Sequence, residues 1–330
     1  MSRKILVIGS NSFSGSHFAA KASYLGYTVL GISRSDQPNK CFLPETWGTD
    51  FKKSYEFRKV NLHRREEVKT LVSSFNPNFV VNFAAQGMVA ESWEAPNDWY
   101  QTNLVAQIEL HQILRSLDGL VKYVHVTTPE VYGSTLDWIE EDQEFNPSTP
   151  YAASRAACDL HLRTFFTGLK FPVVFTRSAN VYGPGQQLYR VVPRAILSCL
   201  SGVKMPLHGN GESTRSFLHV DDMVDATLAI CEHGSVGHTY HISDQELITI
   251  SGLVEKIAEK FEMTLEEVAE KSQDRLGKDS SYKLSSKKLR TELNWAPKRT
   301  LNDGLSQTIS WVKKHYPDLK SHPWTYIHKK

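Results

Sequence analysis

The sequence has few cysteines and no long apolar run. Four cysteines lie far apart in 330 residues and show no C-x-x-C spacing, which argues against a disulfide framework and indicates reduced thiols in a cytoplasmic protein. The longest apolar runs, such as residues 5–8 and 79–85, are much shorter than the roughly 18 residues needed to cross a bilayer. We therefore expect no membrane-spanning helix.

An excess of charge of one sign is also lacking. Lys and Arg number 38 against 36 Asp and Glu, so the net charge is +2. This balance argues against a dedicated nucleic-acid or membrane surface, but it permits a local basic pocket for a phosphorylated small molecule. The hydrophobic share of 40% is ordinary for a globular protein. At about 150 residues per domain, the length predicts two domains.

Short apolar strands alternate with helical patterns in the first half of the chain. Continuous aliphatic runs predict strands over residues 5–8, 29–32, 79–84, 121–127 and 173–176. Helical spacing lies between them, including a long helix predicted over residues 99–115. Strands that are apolar on both faces and separated by helices indicate an α/β fold with a doubly wound parallel sheet, the Rossmann arrangement.

The pattern changes after residue 179, where Pro, Gly and polar loops become frequent. Three later helices are predicted: one over residues 220–231, one that begins at a capping Ser251, and one over residues 301–315. Part of 313–330 is expected to be loosely held. We expect a smaller, mostly helical C-terminal substrate domain. The predicted domain bounds are 1–178 with about 217–247 for dinucleotide binding, and about 179–216 with 248–330 for substrate.

A glycine-rich turn follows the first predicted strand. Gly9, Ser12 and Gly15 have the spacing G-x-x-S-x-x-G, and such a turn lets the backbone approach a pyrophosphate at a helix N-terminus. An ordinary βα turn is the alternative. Ser33 and Arg34 follow the second strand, where NAD-binding sites usually have an acidic residue for the ribose. This pair favours NADP, with NAD as the alternative.

Tyr151 and Arg155 form the second chemical signal. They are four residues apart, so on a helix they share a face, and a cation there lowers the phenol pKa toward working pH. A phenolate can then accept a hydroxyl proton while a nicotinamide accepts hydride. The alternative is a tyrosine at a helix start with an incidental arginine.

Three closely spaced histidines offer possible metal ligands. His233, His238 and His241 have a ligand type that zinc prefers. However, His238 and His241 differ by three along a predicted strand, so they point to opposite faces. We therefore assign no metal.

Seven segments, in this order along the chain, resemble the extended short-chain dehydrogenase/reductase family, particularly its nucleotide-sugar 4,6-dehydratases of the GDP-mannose and dTDP-glucose types. They are the glycine turn, residues 82–86 (NFAAQ), Thr128-x-Glu130, Tyr151, residues 180–184 (NVYGP), residues 215–222 (RSFLHVDD) and residues 293–295 (LNW). The resemblance spans nearly the whole chain. It implies a nucleotide-diphosphate sugar as substrate, and a homodimer or higher homo-oligomer formed through helices at 99–115 and 151–167.

The resemblance also implies a role for each catalytic candidate. Tyr151 would deprotonate the sugar C4 hydroxyl, Thr128 would hydrogen-bond it, and Glu130 would remove the C5 proton. Arg155 stands where the family has a lysine. Oxidation at C4, loss of water across C5 and C6, and return of hydride to C6 would give a 4-keto-6-deoxy sugar.

Binding residues follow from the resemblance in the same way. The implied cofactor set is Gly9, Asn11, Ser12, Phe13, Ser14, Gly15, Ser33, Arg34, Asn61, Leu62, Phe83, Ala84, Ala85, Gln86, Asn103, Thr127, Tyr151 and Arg155. The implied substrate set is Met88, Thr128, Asn180, Arg190, Arg215 and Arg275. Planar guanidinium groups suit bidentate contacts to a diphosphate.

Four residues depart from the family pattern. Ser12 replaces the middle glycine and is expected to crowd the turn, and Met88 stands where relatives often have histidine. Arg155 keeps the lysine charge but does not readily deprotonate, which puts a proton relay through it in doubt. Pro129 replaces the aspartate that protonates the departing hydroxyl in glucose-type enzymes, whereas GDP-mannose types have serine there.

Three alternatives stay open. A 4-epimerase returns hydride to C4, but it needs no C5 base, so Glu130 weighs against it. A sugar-acid decarboxylase would need a cation aimed at the carboxylate, and the sequence identifies none. A non-catalytic cofactor sensor or scaffold would explain the departures, but both Tyr151 and Glu130 are retained.

Overall fold

A computed structural model describes residues 3–47, 54–273 and 281–328. The strands are β1 Lys4–Ile8, β2 Thr28–Ser33, β3 Tyr55–Lys59, β4 Phe79–Asn82, β5 Lys122–Thr127, β6 Val173–Ser178, β7 Asn180–Tyr182, β8 Met205–His208, β9 Thr214–Arg215, β10 Phe217–His219, β11 Thr239–Ile242, β12 Ile248–Thr249 and β13 Ala269–Ser272. The α-helices are α1 Phe13–Tyr24, α2 Arg65–Phe75, α3 Pro96–Tyr100, α4 Ala106–Leu114, α5 Pro150–Leu169, α6 Val191–Ser201, α7 Val220–His233, α8 Ile250–Glu259, α9 Leu265–Val268, α10 Lys287–Leu293 and α11 Leu301–Leu319.

Seven parallel strands form the central sheet in the order β3-β2-β1-β4-β5-β6-β11. Alternate residues of each strand point to opposite faces, and β1 shows the consequence. Ile5 and Val7 pack in a core with α1 and α7, whereas Leu6 and Ile8 pack in a second core with α2, α4 and α5. Both faces are covered, which explains the continuous apolar runs. The predicted doubly wound α/β fold is confirmed.

The sheet reverses its winding direction between β1 and β4. Ile8 pairs with Ile32 on one side and with Asn82 on the other, so the ends of three strands meet here. Gly9 follows β1 with a φ of 79°, and a Cβ at this position would lie 2.7 Å from the Ala84 backbone nitrogen. Ligands of doubly wound sheets bind at this kind of switch point.

Three predicted helix boundaries need correction. The helix predicted over 99–115 begins earlier, at Pro96, because proline suits a first helical turn. A π-helical segment, Gln101–Val105, separates α3 from α4. Thr249, rather than Ser251, caps α8 by accepting a hydrogen bond from the Gly252 amide at 3.0 Å. α11 continues to Leu319, whose fully buried side chain anchors the last turn.

A separate hydrophobic core lies outside the sheet. It is built mainly from α6, α8 and α11, with Leu253, Ile257 and Val312 fully buried. Residues 41–47 also reach this core, and the Trp311 indole donates a hydrogen bond to the Cys41 carbonyl at 3.0 Å. The predicted residue bounds of the two domains stay a prediction. No helix within the described ranges is long and apolar enough to span a membrane.

Candidate functional site

The glycine turn between β1 and α1 forms one wall of the site. Ser12 has an extended backbone with a φ of −74°, and its side chain accepts a hydrogen bond from the Gly15 amide at 3.1 Å. Serine therefore acts as the helix cap rather than crowding the turn. A Cβ on Gly15 would collide with the Gly9 carbonyl, so glycine is required there.

A cavity of about 220 Å³ opens beside this turn. The predicted cofactor residues that line it are Gly9, Asn11, Ser12, Ser33, Arg34, Asn61, Leu62, Phe83, Ala84, Ala85 and Gln86. The sequence prediction missed the further lining residues Ile8, Ile32, Ser35, Val60, His63, Thr102 and Ala106. Several of these residues could have been found because they lie close in sequence to Ser33 or Asn61. The cavity does not include Phe13, Ser14, Gly15, Asn103, Thr127, Tyr151 or Arg155.

The loop after β2 is fixed by hydrogen bonds to the glycine turn. The Asn11 amide donates to the Ser33 hydroxyl at 3.0 Å, and its side chain donates to the backbone of Ser35. Arg34 Nη2 donates to Gln86 Oε1 at 3.3 Å, across the cavity. Asp36, an acidic residue soon after the strand, is exposed and paired with Lys59 at 2.7 Å. The cavity wall at the end of β2 is therefore cationic.

Asn103 supports this wall from the π-helical segment. It is fully buried, accepts from the Gln86 amide at 2.8 Å, and donates to the Gln86 carbonyl and to Ser154 Oγ. Its side-chain amide is thereby occupied. Asn103 holds the backbone of Gln86 in place and acts on the cavity through that residue.

The four predicted catalytic residues meet at the end of β5. Thr128 caps a short 3₁₀ turn, Pro129–Tyr132, that carries Glu130, while Tyr151 and Arg155 lie on one face of α5. The pKa of Tyr151 is raised to about 12, first by burial and then by the Glu130 carboxylate, whereas Arg155 and a Thr128 hydrogen bond lower it. Arg155 therefore acts in the expected direction, but burial outweighs it.

Arg155 is 2% exposed and only partly hydrogen-bonded. Its Nη2 donates to the Val126 carbonyl at 2.5 Å and lies 3.4 Å from His125 Nε2. Among the described residues, its Nε and Nη1 have no hydrogen-bond partner. Buried donors of this kind usually have partners, so Arg155 has two donors that the described residues leave unsatisfied.

A buried ionic cluster underlies Arg155, and the sequence prediction missed it. Asp159 accepts hydrogen bonds from Arg177 at 2.7 Å and from Thr127 Oγ1 at 3.2 Å. Burial favours a higher pKa for Asp159, but Arg177 and His125 outweigh it and hold the pKa below its usual value. Spacing in the sequence could have revealed Asp159, because Tyr151, Arg155 and Asp159 recur every four residues along α5.

The predicted substrate residues are only partly brought together. Arg190, at the N-terminus of α6, is exposed and close enough to Tyr151 to lower its pKa. Arg215 lies against the Tyr282 ring at 4.5 Å, and Asn180 pairs with Phe217 in a short parallel ladder. Met88 is half-buried in the loop after β4. Arg275 lies outside the described residues.

The histidines that sequence spacing brought to attention do not converge. His241 is buried and hydrogen-bonded to the Tyr132 hydroxyl at 2.9 Å, whereas His238 is exposed. A different buried group, His111, His125 and Cys158, has ligand-type atoms within 4.8 Å of one another. The Tyr123 hydroxyl lies 3.1 Å from each of these two imidazoles.

Comparisons with known proteins identify the family of this chain. A family model described as GDP-mannose 4,6 dehydratase matches residues 6–308. The dTDP-D-glucose 4,6-dehydratase of Homo sapiens is 29% identical over 99% of this chain and 93% of its own. The dTDP-glucose 4,6-dehydratase of Neisseria meningitidis serogroup B is 30% identical over 94% of this chain and 93% of its own.

Solved structures are also similar. The dTDP-glucose 4,6-dehydratase of Streptomyces venezuelae with NAD and TYD bound has a TM-score of 0.87 and 27% identity, covering 95% of this chain and 98% of that one. The UDP-glucose 4-epimerase of Thermotoga maritima with UDP-glucose has a TM-score of 0.84 and 25% identity, covering 95% and 99%.

Proposed function

This chain belongs to the GDP-mannose 4,6-dehydratase family and is a nucleotide-sugar 4,6-dehydratase, and we propose that Thr128, Glu130 and Tyr151 carry its chemistry. The observation that supports these roles is the proximity of two groups. The Glu130 carboxylate is close enough to the Tyr151 phenol to raise its pKa. A base for the C5 proton therefore stands beside a base for the C4 hydroxyl, as elimination of water requires.

The residues fit a nicotinamide dinucleotide. Gly9 leaves the backbone open where a Cβ would meet Ala84. The cavity is lined by residues of the glycine turn and by Arg34, and Arg155 has two buried donors without a partner among the described residues. When bound, the oxidised dinucleotide supplies a reversible hydride acceptor and a positive charge. We assign Arg155 to the ribose hydroxyls, and the Gly9 to Gly15 turn to the pyrophosphate.

Tyr151 starts the reaction in this proposal. Its phenolate takes the C4 hydroxyl proton while the Thr128 hydroxyl holds the sugar oxygen, and the C4 carbon becomes a ketone. Because that ketone acidifies the C5 hydrogen, Glu130 can then remove it as a proton. Ionising a phenol with a pKa of about 12 is costly, so the positive charges around Tyr151 are needed for this first step.

Glu130 also serves the leaving group in this proposal. Pro129, which follows Thr128, has no proton to give to the departing C6 hydroxyl. Glu130 carries a proton after C5 abstraction, and transferring it to the C6 oxygen releases water. When hydride has reached C6, the proton held by Tyr151 returns to C5, directly or through water. The sugar has then lost one water, and both side chains are in their starting states.

The proposed cofactor is NADP rather than NAD. Arg34 and Ser33 line the cavity at the end of β2, and the nearby Asp36 pairs with Lys59 instead of lining it. A guanidinium suits a 2′-phosphate. Structures of two related dehydratases contain NAD. If the proposal is correct, Arg34→Ala weakens NADP binding by about tenfold or more and leaves NAD binding nearly unchanged.

We also propose a homodimer formed through α5 and the neighbouring helices α3 and α4. Val105, in the π-helical segment between α3 and α4, and Leu160, on α5, are 43% and 52% exposed. Apolar side chains exposed on adjacent helices favour a subunit contact. Light scattering of the purified protein gives the mass in solution, and a monomer would overturn this assignment. A cytoplasmic location stays a prediction.

Mass spectrometry tests the function. The purified protein is incubated with UDP-, GDP-, CDP- and dTDP-sugars, and the released cofactor is identified in the same run. Loss of one water from one substrate establishes dehydration and names the sugar nucleotide, and Tyr151→Phe must abolish that loss. An epimer of unchanged mass, detected by NMR, would favour the 4-epimerase alternative. Bound cofactor without any turnover would favour a sensor.

A further inference from the structure

Residues 321–328 follow α11 as a segment of turns and bends without regular secondary structure, which we call the strap. Its inward-facing residues alternate with exposed ones. His322 lies against Phe42 at 5.6 Å, the Trp324 indole donates to the Leu319 carbonyl at 3.2 Å, and Tyr326 lies against Tyr189 at 5.4 Å. The strap thus starts on the core formed by α6, α8 and α11.

His328 attaches the other end of the strap to α3, beside the sheet. Its ring stacks on Trp99 at 5.0 Å with an interplanar angle of 11°, and its Nε2 lies 2.7 Å from Asp98 Oδ2. Its Nδ1 lies 3.4 Å from Gln86 Nε2 and from the Tyr326 hydroxyl. Both ring nitrogens and one ring face are therefore in contact with the protein.

Gln86 connects the strap to the proposed cofactor cavity. Its side-chain oxygen accepts from Arg34, and its side-chain nitrogen contacts His328. A continuous series of contacts therefore runs from Arg34 to Asp98. Tyr326 contacts His328 and also the Tyr189 ring, over which the Arg190 guanidinium lies at 5.4 Å. Through Gln86 and Tyr189, the strap therefore contacts neighbours of both the cation proposed for the cofactor and the one proposed for the sugar diphosphate.

We propose that the strap retains the nicotinamide dinucleotide in its cleft, with His328 as the latch. This inference rests on the proposed cofactor site. The reaction needs this retention, because the reduced cofactor must stay bound until the sugar intermediate has formed and accepts the hydride. A segment that crosses from one core to the other, and is fixed at both ends, slows that loss without touching the reacting atoms.

The test measures the dissociation rate of NADPH and NADH from the 330-residue chain by displacement fluorescence. His328→Phe loses the contacts with Asp98 and Gln86. It keeps an aromatic ring that stacks on Trp99, and this stacking should preserve the fold. We expect dissociation to become about tenfold faster in this variant and in Asp98→Asn. The double variant is expected to be no faster than His328→Phe alone, because that variant already lacks the contact with Asp98. Ile327→Ala, at a position 58% exposed, is the matched control and leaves the rate unchanged.

Other outcomes separate the strap from the proposed function. A His328→Phe dissociation rate equal to that of Ile327→Ala overturns the strap while leaving the enzyme proposal intact. An unchanged dissociation rate with a higher kcat/KM for the nucleotide sugar also overturns it, because the segment would then be blocking substrate. Failure of the unmodified protein to bind either dinucleotide would overturn the proposed cofactor site itself.

Discussion

The Asp159 carboxylate accepts a hydrogen bond from Arg177 Nη2 at 2.7 Å, and both side chains are fully buried. Arg155 is a second guanidinium in the same buried region, and His125 is neutral near pH 7 because burial lowers its pKa to about 4. Of these buried charges, the Arg155 guanidinium lowers the pKa of Tyr151. That charge favours the phenolate needed for C4 oxidation.

Removing the Asp159 charge is expected to destabilise the protein. Asp159→Asn leaves two buried guanidinium groups without a counter-charge, and breaking a buried ion pair in this way costs about 3–5 kcal/mol. The free energy of unfolding, measured by urea denaturation, tests this expected loss of stability. Asp159→Asn with Arg177→Met should recover much of the loss, because the unpaired charge is removed as well. A loss below about 1 kcal/mol in the single variant would contradict the assignment.

Replacing Arg155 by lysine tests whether its charge is enough. Lysine is the usual residue of the family at this position, and Arg155→Lys should keep kcat/KM within about tenfold, or about 1.4 kcal/mol of barrier, if charge alone matters. Arg155→Met removes the charge and should cost about 100-fold or more, as loss of a charge that supports proton transfer does. Equal losses in the two variants would show that the guanidinium geometry itself is required.

Glu130→Gln separates oxidation from dehydration. The amide does not remove the C5 proton, so C4 oxidation should occur and reduced cofactor should accumulate, as seen in its absorbance. The substitution also removes the carboxylate that raises the Tyr151 pKa, so oxidation should extend to lower pH than in the unmodified protein. Glu94→Gln, at an exposed carboxylate, is the control. A normal 6-deoxy product from Glu130→Gln would remove this residue from the mechanism.

Acid should destabilise the fold through buried histidines. Burial lowers the pKa of His125 to about 4 and of His241 to about 3, from 6.5 in the unfolded chain. The unfolded state therefore binds more protons below pH 6.5, so stability falls as pH decreases from 6.5 toward 4. Each histidine contributes about 1.4 kcal/mol per pH unit in this range. Urea unfolding measured between pH 6.5 and 4 checks how steeply the free energy of unfolding depends on pH. His241→Gln should make this dependence less steep. Stability that increases on acidification would contradict both pKa directions.

Most sheet strands, and the shared helix face of Tyr151 and Arg155, were predictable from local patterns. Aliphatic runs gave the centres of five sheet strands, since a strand buried on both faces must be apolar throughout. β3, Tyr55–Lys59, was missed, because it lies at the edge of the sheet and is largely polar and exposed. The spacing of Tyr151 and Arg155 gave their shared face of α5, because helical periodicity depends only on sequence separation.

Contacts between distant segments were not predictable in this way. His328 meets Gln86 across 242 positions, and Asp159 meets Arg177 between a helix and a strand. The sequence by itself determined which segments are strands and helices, and which residue types line their faces, because backbone torsions and side-chain periodicity are local. Only the tertiary structure decided that the strap contacts Gln86 in the cavity wall and that Arg155 shares its burial with a second arginine. Such pairings depend on how the cores pack, and no local pattern encodes that packing.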